Sequence, residues 1–126
     1  NAARLRIDNV VWRSGTWFEP LDVGATFELI VSNPPYIAAD DHHLSVGDVA
    51  HEPRSALVAG DDGYADLEHI IDTAPEHLGD GGWLLLEHGN TQHERVSACF
   101  RKARYTQVAT LSDLAGQPRV TLGRRA

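Results

Sequence analysis

Asn33-Pro34-Pro35-Tyr36 is the stretch whose residue types could do chemistry. It follows the apolar run Phe27-Glu28-Leu29-Ile30-Val31 and Ser32, which reads as a buried strand feeding a rigid loop. Open α/β sheets keep their ligands at strand ends of this kind. Each proline disfavours the α region for the residue before it, so Asn33 and Pro34 are both pushed to extended backbone. The Asn33 side-chain oxygen and the Pro34 carbonyl are acceptors, and the Tyr36 ring offers a flat wall beside them. Two acceptors converging on one point suit a planar NH2 group, whether of a carboxamide or of a nucleobase. A neutral Asn adds no net charge to such a site. The alternative is that Pro-Pro merely ends the strand with a stiff turn. These residues alone leave both readings open.

Other chemistries find less support. No Ser-His-Asp order, paired catalytic carboxylates or glycine-rich phosphate loop can be read from the spacings. Asp40, Asp41, His42, His43, His51 and Glu52 cluster in the long connection from Ile37 to Gly60. A connection of that length is expected to be functional. The cluster lacks zinc-type ligand spacing, so its charges are read as solvated and no metal site is expected. Cys99 falls on the apolar stripe Val96, Cys99, Phe100, Ala103 and reads as core rather than nucleophile. Trp17 is either core or a wall for a ring-bearing ligand, and without context core is the simpler reading.

The elements that must hold this corner follow from periodicity. Asn1 to Ile7 resembles the tail of a helix, and Val10-Val11-Trp12 is a short β-type run. Asp62 is a candidate N-cap for a helix whose buried face is Leu67, Ile70, Ile71, Ala74 and Leu78. Pro75 should kink or shorten that helix, and Gly79, Gly81 and Gly82 should stop it. Trp83-Leu84-Leu85-Leu86 reads as a strand covered on both faces. Thr91-Gln92-His93-Glu94 matches a capping box, with Thr91 as N-cap. Tyr105 to Leu111 and Arg119 to Gly123 read as closing strands joined by a turn around Gly116-Gln117-Pro118. Strand, helix, strand, helix, strand, strand is the pattern of an α/β sheet finished by a hairpin.

Composition bounds the rest. The 126 residues suffice for one domain with a real core, and 42% hydrophobic with 23% charged residues is ordinary for a soluble globular protein. A net charge of −7 argues against a surface for non-specific nucleic-acid binding. No apolar run is long enough to span a membrane. The single cysteine rules out an internal disulfide and fits a reducing cytoplasm. No signal-peptide pattern opens the chain, and the absence of Met at position 1 suggests that it begins partway through a longer one.

Taken together, several motifs carry a resemblance. Asn33-Pro34-Pro35-Tyr36, Gly47-Asp48-Val49, Glu52-Pro53, Ala56-Leu57-Val58-Ala59-Gly60 and Asp62-Gly63 resemble the HemK/PrmC family of protein-glutamine methyltransferases. So do Leu84-Leu85-Leu86-Glu87-His88-Gly89 and Arg119-Val120-Thr121-Leu122-Gly123-Arg124. The resemblance implies the C-terminal portion of a Rossmann-like class I methyltransferase α/β fold ending in an antiparallel hairpin. It implies S-adenosylmethionine as cofactor, methyl transfer to a glutamine side-chain amide, and the Gly-Gly-Gln loop of class I peptide chain release factors as substrate. It further implies that Asn33 and the Pro34 carbonyl hold the amide, that Pro35 and Tyr36 complete the substrate site, and that Asn33 and Trp17 lie near the cofactor. Relatives of the four-residue motif occur in adenine and guanine amino methyltransferases, which leaves a nucleic-acid enzyme as an alternative. A non-catalytic remnant acting by binding or self-association is another.

The family pattern also calls for an N-terminal helical domain, a glycine-rich cofactor loop and an acidic ribose-binding residue, none of which is seen here. Residues 1–126 are therefore expected to be part of a catalytic domain. By themselves they should be inactive and bind S-adenosylmethionine weakly or not at all. The strand before Asn33 should expose an unpaired edge.

Overall fold

The computed structural model describes residues 1–36 and 63–126. Its elements are β1 (Phe27–Ser32), α1 (Ala65–Thr73), β2 (Leu78–Glu87), α2 (His93–Lys102), β3 (Thr106–Ser112) and β4 (Pro118–Arg124). Among the described residues the strands form one sheet in the order β1-β2-β4-β3. β1 runs parallel to β2, and β4 lies antiparallel to both of its neighbours. The expected α/β order with a closing hairpin is present.

Periodicity explains the core. α1 buries Leu67, Ile70 and Ile71, and α2 buries Val96, Ser97 and Phe100. The apolar residues of both stripes join Leu84 and Leu86 of β2 in one cluster that also takes in Ala74, Leu78 and Tyr105. The buried Tyr105 hydroxyl donates to the Ile71 carbonyl at 3.2 Å, so this ring enters the core without stranding its polar end. Arg95 of α2 pairs with Glu68 of α1 at 2.7 Å and lies over the Tyr64 ring, which joins the two helices at their outer edge.

Several local expectations need correction. α1 ends at Thr73, and Pro75 sits in the 3-10 turn Ala74–Glu76 that follows, so the proline shortens the helix. Gly79, Gly81 and Gly82 do not stop it; they belong to β2. There the register slips between Phe27↔Leu78 and Leu29↔Trp83, giving a bulged entry to the strand. A Cβ on Gly82 would stand 3.0 Å from the Phe27 carbonyl oxygen, so the bulge needs a bare backbone at that point. Leu78 is the first residue of this strand rather than the last of the helical stripe.

β2 is fully covered on the Leu84–Leu86 face only; Trp83, Leu85 and Glu87 are half-buried. α2 begins at His93 with Gln92 as N-cap, and the Thr91–Glu94 capping box is not formed. α1 begins at Ala65 with Tyr64 as N-cap, while Asp62 lies outside the described residues. Val10 to Trp12 is not a strand, and Val11 and Trp12 are about three-quarters exposed (74% and 76%).

The first residues keep one helical turn. Leu5 donates to the Asn1 carbonyl, and paired bonds from Ile7 to Ala2 and from Arg6 to Ala3 close it, with Arg6 at φ 54°. That is the bonding of a Schellman helix end.

Candidate functional site

Parallel pairing of Ser32 with Leu86 brings the C-terminal ends of β1 and β2 side by side. Asn33 therefore leaves the sheet next to Glu87, and Tyr36 reaches Glu87 and Gln92 at the β2–α2 connection. Asn33 is exposed, Pro34 is buried, and Pro35 and Tyr36 are half-buried. Among the described residues the Asn33 side chain has no hydrogen-bond partner, so its amide is available to a ligand.

Tyr36 is held at both ends. Its hydroxyl donates to Glu87 Oε1 at 3.2 Å, and its carbonyl accepts from Gln92 Nε2 at 3.1 Å. Burial first, and then the Glu87 charge, push the phenol above its ordinary pKa of 10.0, which keeps it a neutral donor. Arg119, which reaches the same hydroxyl, pulls weakly the other way. The Arg119 guanidinium also contacts Asp113 Oδ2 at 3.3 Å and the His88 carbonyl at 3.5 Å. The first residues of β4 thereby brace the ends of β1 and β2.

Beneath this rim lies a buried polar chain. His88 Nδ1 donates to the Gly89 carbonyl at 2.9 Å, which leaves Nε2 of the neutral ring as an acceptor facing Thr121 Oγ1 at 2.9 Å. Thr121 must then donate to His88, and it contacts Thr110 Oγ1 at 3.1 Å, which in turn meets Ser97 Oγ at 3.2 Å. Desolvation lowers the His88 pKa from 6.5, opposed by the bond to Gly89. The neutral ring suits a floor that adds no charge below Tyr36 and Glu87.

Gln92 spends both of its N–H donors and accepts one bond here. Nε2 donates to the Tyr36 and Gly63 carbonyls at 3.1 and 3.2 Å, and Oε1 accepts from the Gly89 N–H at 2.9 Å. Glu87, Gln92 and Arg119 were not singled out by type. Glu87 closes an apolar strand, Gln92 hides inside an apparent capping box, and Arg119 looks like an ordinary strand-end charge. The signal that could have found Glu87 was its position, level with Asn33 once the two strands pair in parallel.

The structure does not join Trp17 to this corner. Trp17 is half-buried against the core at φ 49°, and its neighbour Phe18 stacks on His77 at 4.7 Å. His77 lies at the opposite end of the sheet, where its carbonyl accepts from the Phe27 N–H. A cleft lined by Pro75, Ala103, Arg104, Tyr105 and Arg125 also opens at that far end. Asp40, Asp41, His42, His43, His51 and Glu52 lie outside the described residues, among which no metal-holding cluster occurs. Cys99 is half-buried, with its thiol pushed up by burial, as befits core rather than a nucleophile.

No family model matches the chain. Individual relatives do. It is 54% identical over 123 residues to a release factor glutamine methyltransferase of Vibrio cholerae, covering 98% of this chain and 43% of that protein. Proteins of the same name from Salmonella typhimurium and Pseudomonas aeruginosa are 56% and 52% identical, with 98% and 100% of this chain matched and 44% and 45% of theirs.

Among solved structures, a methyltransferase from Pyrococcus furiosus superposes with a TM-score of 0.54 at 17% identity, over 82% of this chain and 43% of that one. It shows the fold. A protein-(glutamine-N5) methyltransferase, release factor-specific, from Alicyclobacillus acidocaldarius gives 0.51 at 25% identity, over 79% and 49%. The chain thus spans less than half the length of the curated relatives it matches. Over that span it belongs to the family of the release factor glutamine methyltransferases, with the α/β fold of methyltransferases.

Proposed function

We propose that this chain carries the acceptor side of an S-adenosylmethionine-dependent methyltransferase, part of a catalytic domain that methylates the side-chain amide nitrogen of glutamine. The substrate is the Gly-Gly-Gln loop of class I peptide chain release factors, and the work is done in the cytoplasm without direct nucleic-acid or membrane binding. Among the described residues no helix is long and apolar enough to cross a membrane. One observation carries the reading: an exposed Asn33, whose amide has no partner among the described residues, stands on a corner whose other end, Tyr36, is fixed at both carbonyl and hydroxyl. The likeness of the sequence to named release factor glutamine methyltransferases supports the substrate.

An amide nitrogen is a poor nucleophile because its lone pair is delocalised into the carbonyl. Asn33 and the Pro34 carbonyl would each accept one N–H of the incoming carboxamide, return density to nitrogen and fix the plane of the group. Tyr36, held by Glu87 and Gln92, would wall that plane and exclude water, which strengthens both hydrogen bonds. When bound, S-adenosylmethionine supplies an electrophilic methyl on a sulfonium. Asn33 at the strand end and its free amide fit a cofactor lying beside it. A role for Trp17 beside the adenosyl group rests on the resemblance. The nitrogen would gain one N–C bond as the sulfonium's S–CH3 bond breaks and its electron pair stays on sulfur as a neutral thioether. The nitrogen would also give up one proton to water, so the chain's contribution is positioning and electrostatics rather than a strong base.

The test is Asn33→Ala in the full-length protein, with release factor and a nucleic acid offered side by side. Methyl transfer to release factor should fall by roughly a hundredfold or more. Cofactor affinity, read by calorimetry, should change far less. Normal turnover by this variant, or transfer to the nucleic acid instead, would overturn the proposal.

A further inference from the structure

We infer that Gln92 is a positioning residue for the acceptor corner, using its side-chain amide to clamp together the two backbone segments that flank residues 37–62. The inference deepens the proposed function and rests on the reading of Asn33–Tyr36 as the acceptor site.

Gln92 is the N-cap of α2, yet it makes no cap bond with its side chain. An N-cap side-chain oxygen ordinarily takes an N–H two or three residues ahead. Here Oε1 turns backwards to the Gly89 N–H at 2.9 Å, and the helix start forgoes that stabilisation. Both Nε2 hydrogens go elsewhere, one to the Tyr36 carbonyl and one to the Gly63 carbonyl. Gln92 is only 8% exposed, its bond to the Gly63 carbonyl is buried and the other two are part-buried, so water replaces them poorly when they are lost. The approach at Gly89 is close, since a Cβ there would stand 3.1 Å from Oε1.

The clamp acts on chemistry through the prolines. From Tyr36 back to Asn33 the chain passes through Pro35 and Pro34, whose φ angles are locked. A shift of the Tyr36 carbonyl is therefore passed along a stiff strut to the Pro34 carbonyl and the Asn33 side chain. At its other donor, Gln92 fixes Gly63, just ahead of α1 and at φ 74°. One buried amide thus sets the distance between the end of the acceptor corner and the start of the helix that packs the core. Glu87 holds the Tyr36 ring, and Gln92 holds its backbone.

Gln92→Met in the full-length protein tests this, because methionine keeps the buried volume and removes all three bonds. The expected result is a fall in kcat of roughly ten- to a hundredfold, with cofactor affinity and KM for release factor little changed. Faster hydrogen exchange is expected in the peptides holding Tyr36 and Gly63. Gln92→Glu is the second variant. It should be worse than Met in kcat, since a carboxylate faces two carbonyl oxygens while keeping the bond from Gly89.

If Gln92 serves packing alone, Gln92→Met keeps wild-type kcat and exchange, and that outcome overturns the inference. Were Gln92→Met normal while Asn33→Ala is inactive, the clamp would fail and the acceptor site would stand. An active Asn33→Ala sinks the acceptor site itself, and with it the role assigned to Gln92.

Discussion

Tyr36 and His88 show how single residues set the character of the site. Tyr36→Phe keeps the aromatic wall and removes the hydroxyl, and with it the tether to Glu87 and the weaker reach of Arg119. Its expected cost is about 0.5–1.5 kcal/mol in urea titration, the usual net worth of one hydrogen bond. An unchanged midpoint would mean that Glu87 does not hold the ring. His88 has a pKa below its ordinary 6.5 because burial disfavours the charged ring. Below about pH 6.5 the unfolded chain therefore binds a proton that the folded chain refuses, and stability falls as pH drops from there to the folded pKa. The slope should be at most about 1.4 kcal/mol per pH unit. Asp113 acts in a different window. Bonds from the Gln117 and Ala115 N–H groups and the Arg119 guanidinium hold its carboxyl below the usual 3.8, so its contribution is lost only as pH falls below that value. Urea midpoints between pH 7.5 and 5, compared between the wild type and His88→Gln, isolate this ring from the other histidines, and a difference that does not change with pH would show that the ring is not buried neutral. The acceptor types of Asn33 and Pro34 were legible from the sequence. The tethers on Tyr36 were not, because Glu87 and Gln92 come into reach only once two distant strands pair.

At the level of elements, what the sequence made legible was set by local rules, and what it hid was set by neighbours. The α1 stripe and its end before Pro75 follow from 3.6-residue spacing and a missing N–H, and the β3–β4 hairpin from two apolar runs around Gly116. The glycines of 79–82 were misread because a glycine run that could end a helix also serves a bulge, and only the approach of the Phe27 carbonyl decides which. Thr91 was misread as a cap because Gln92, one residue on, is drawn away by Tyr36 and Gly63. Gly123 of β4 makes the same point. It lies under α2, where a Cβ would stand 2.6 Å from the Phe100 ring and 2.9 Å from Tyr105 Cβ. Gly123→Ala should cost about 1–3 kcal/mol through overpacking, read as a lowered melting temperature. A wild-type melting temperature would show that the helix can ride up at no cost. In the resemblance this glycine was one letter of a motif; here it is the contact that lets helix and sheet close on each other.

For the molecule as a whole, both helices lie over one face of the sheet and, among the described residues, β1 lies at its edge, as the sequence led one to expect of the strand before Asn33. The only partly covered second face was not foreseen. Trp83-Leu84-Leu85-Leu86 is apolar throughout, and a continuous apolar run does not say whether one layer or two will cover it. Register places Leu29 beside Trp83 and Val31 beside Leu85, and Leu85 beside Leu122. These residues form an apolar band that reaches the open edge, where Val31 is 67% exposed. An edge strand that joins unpaired backbone groups to exposed aliphatic side chains is a template for another strand. This 126-residue chain should therefore self-associate as its concentration rises, with sedimentation showing masses above 13.8 kDa. Val31→Lys puts a charge on the band while leaving the Leu84–Leu86 core untouched, and should restore the monomer without lowering the melting temperature. A chain that stays monomeric at every concentration would mean that the edge is blunted in spite of its composition. A Val31→Lys chain that still associates would place the contact on the Trp83–Leu85 face rather than on the edge of β1.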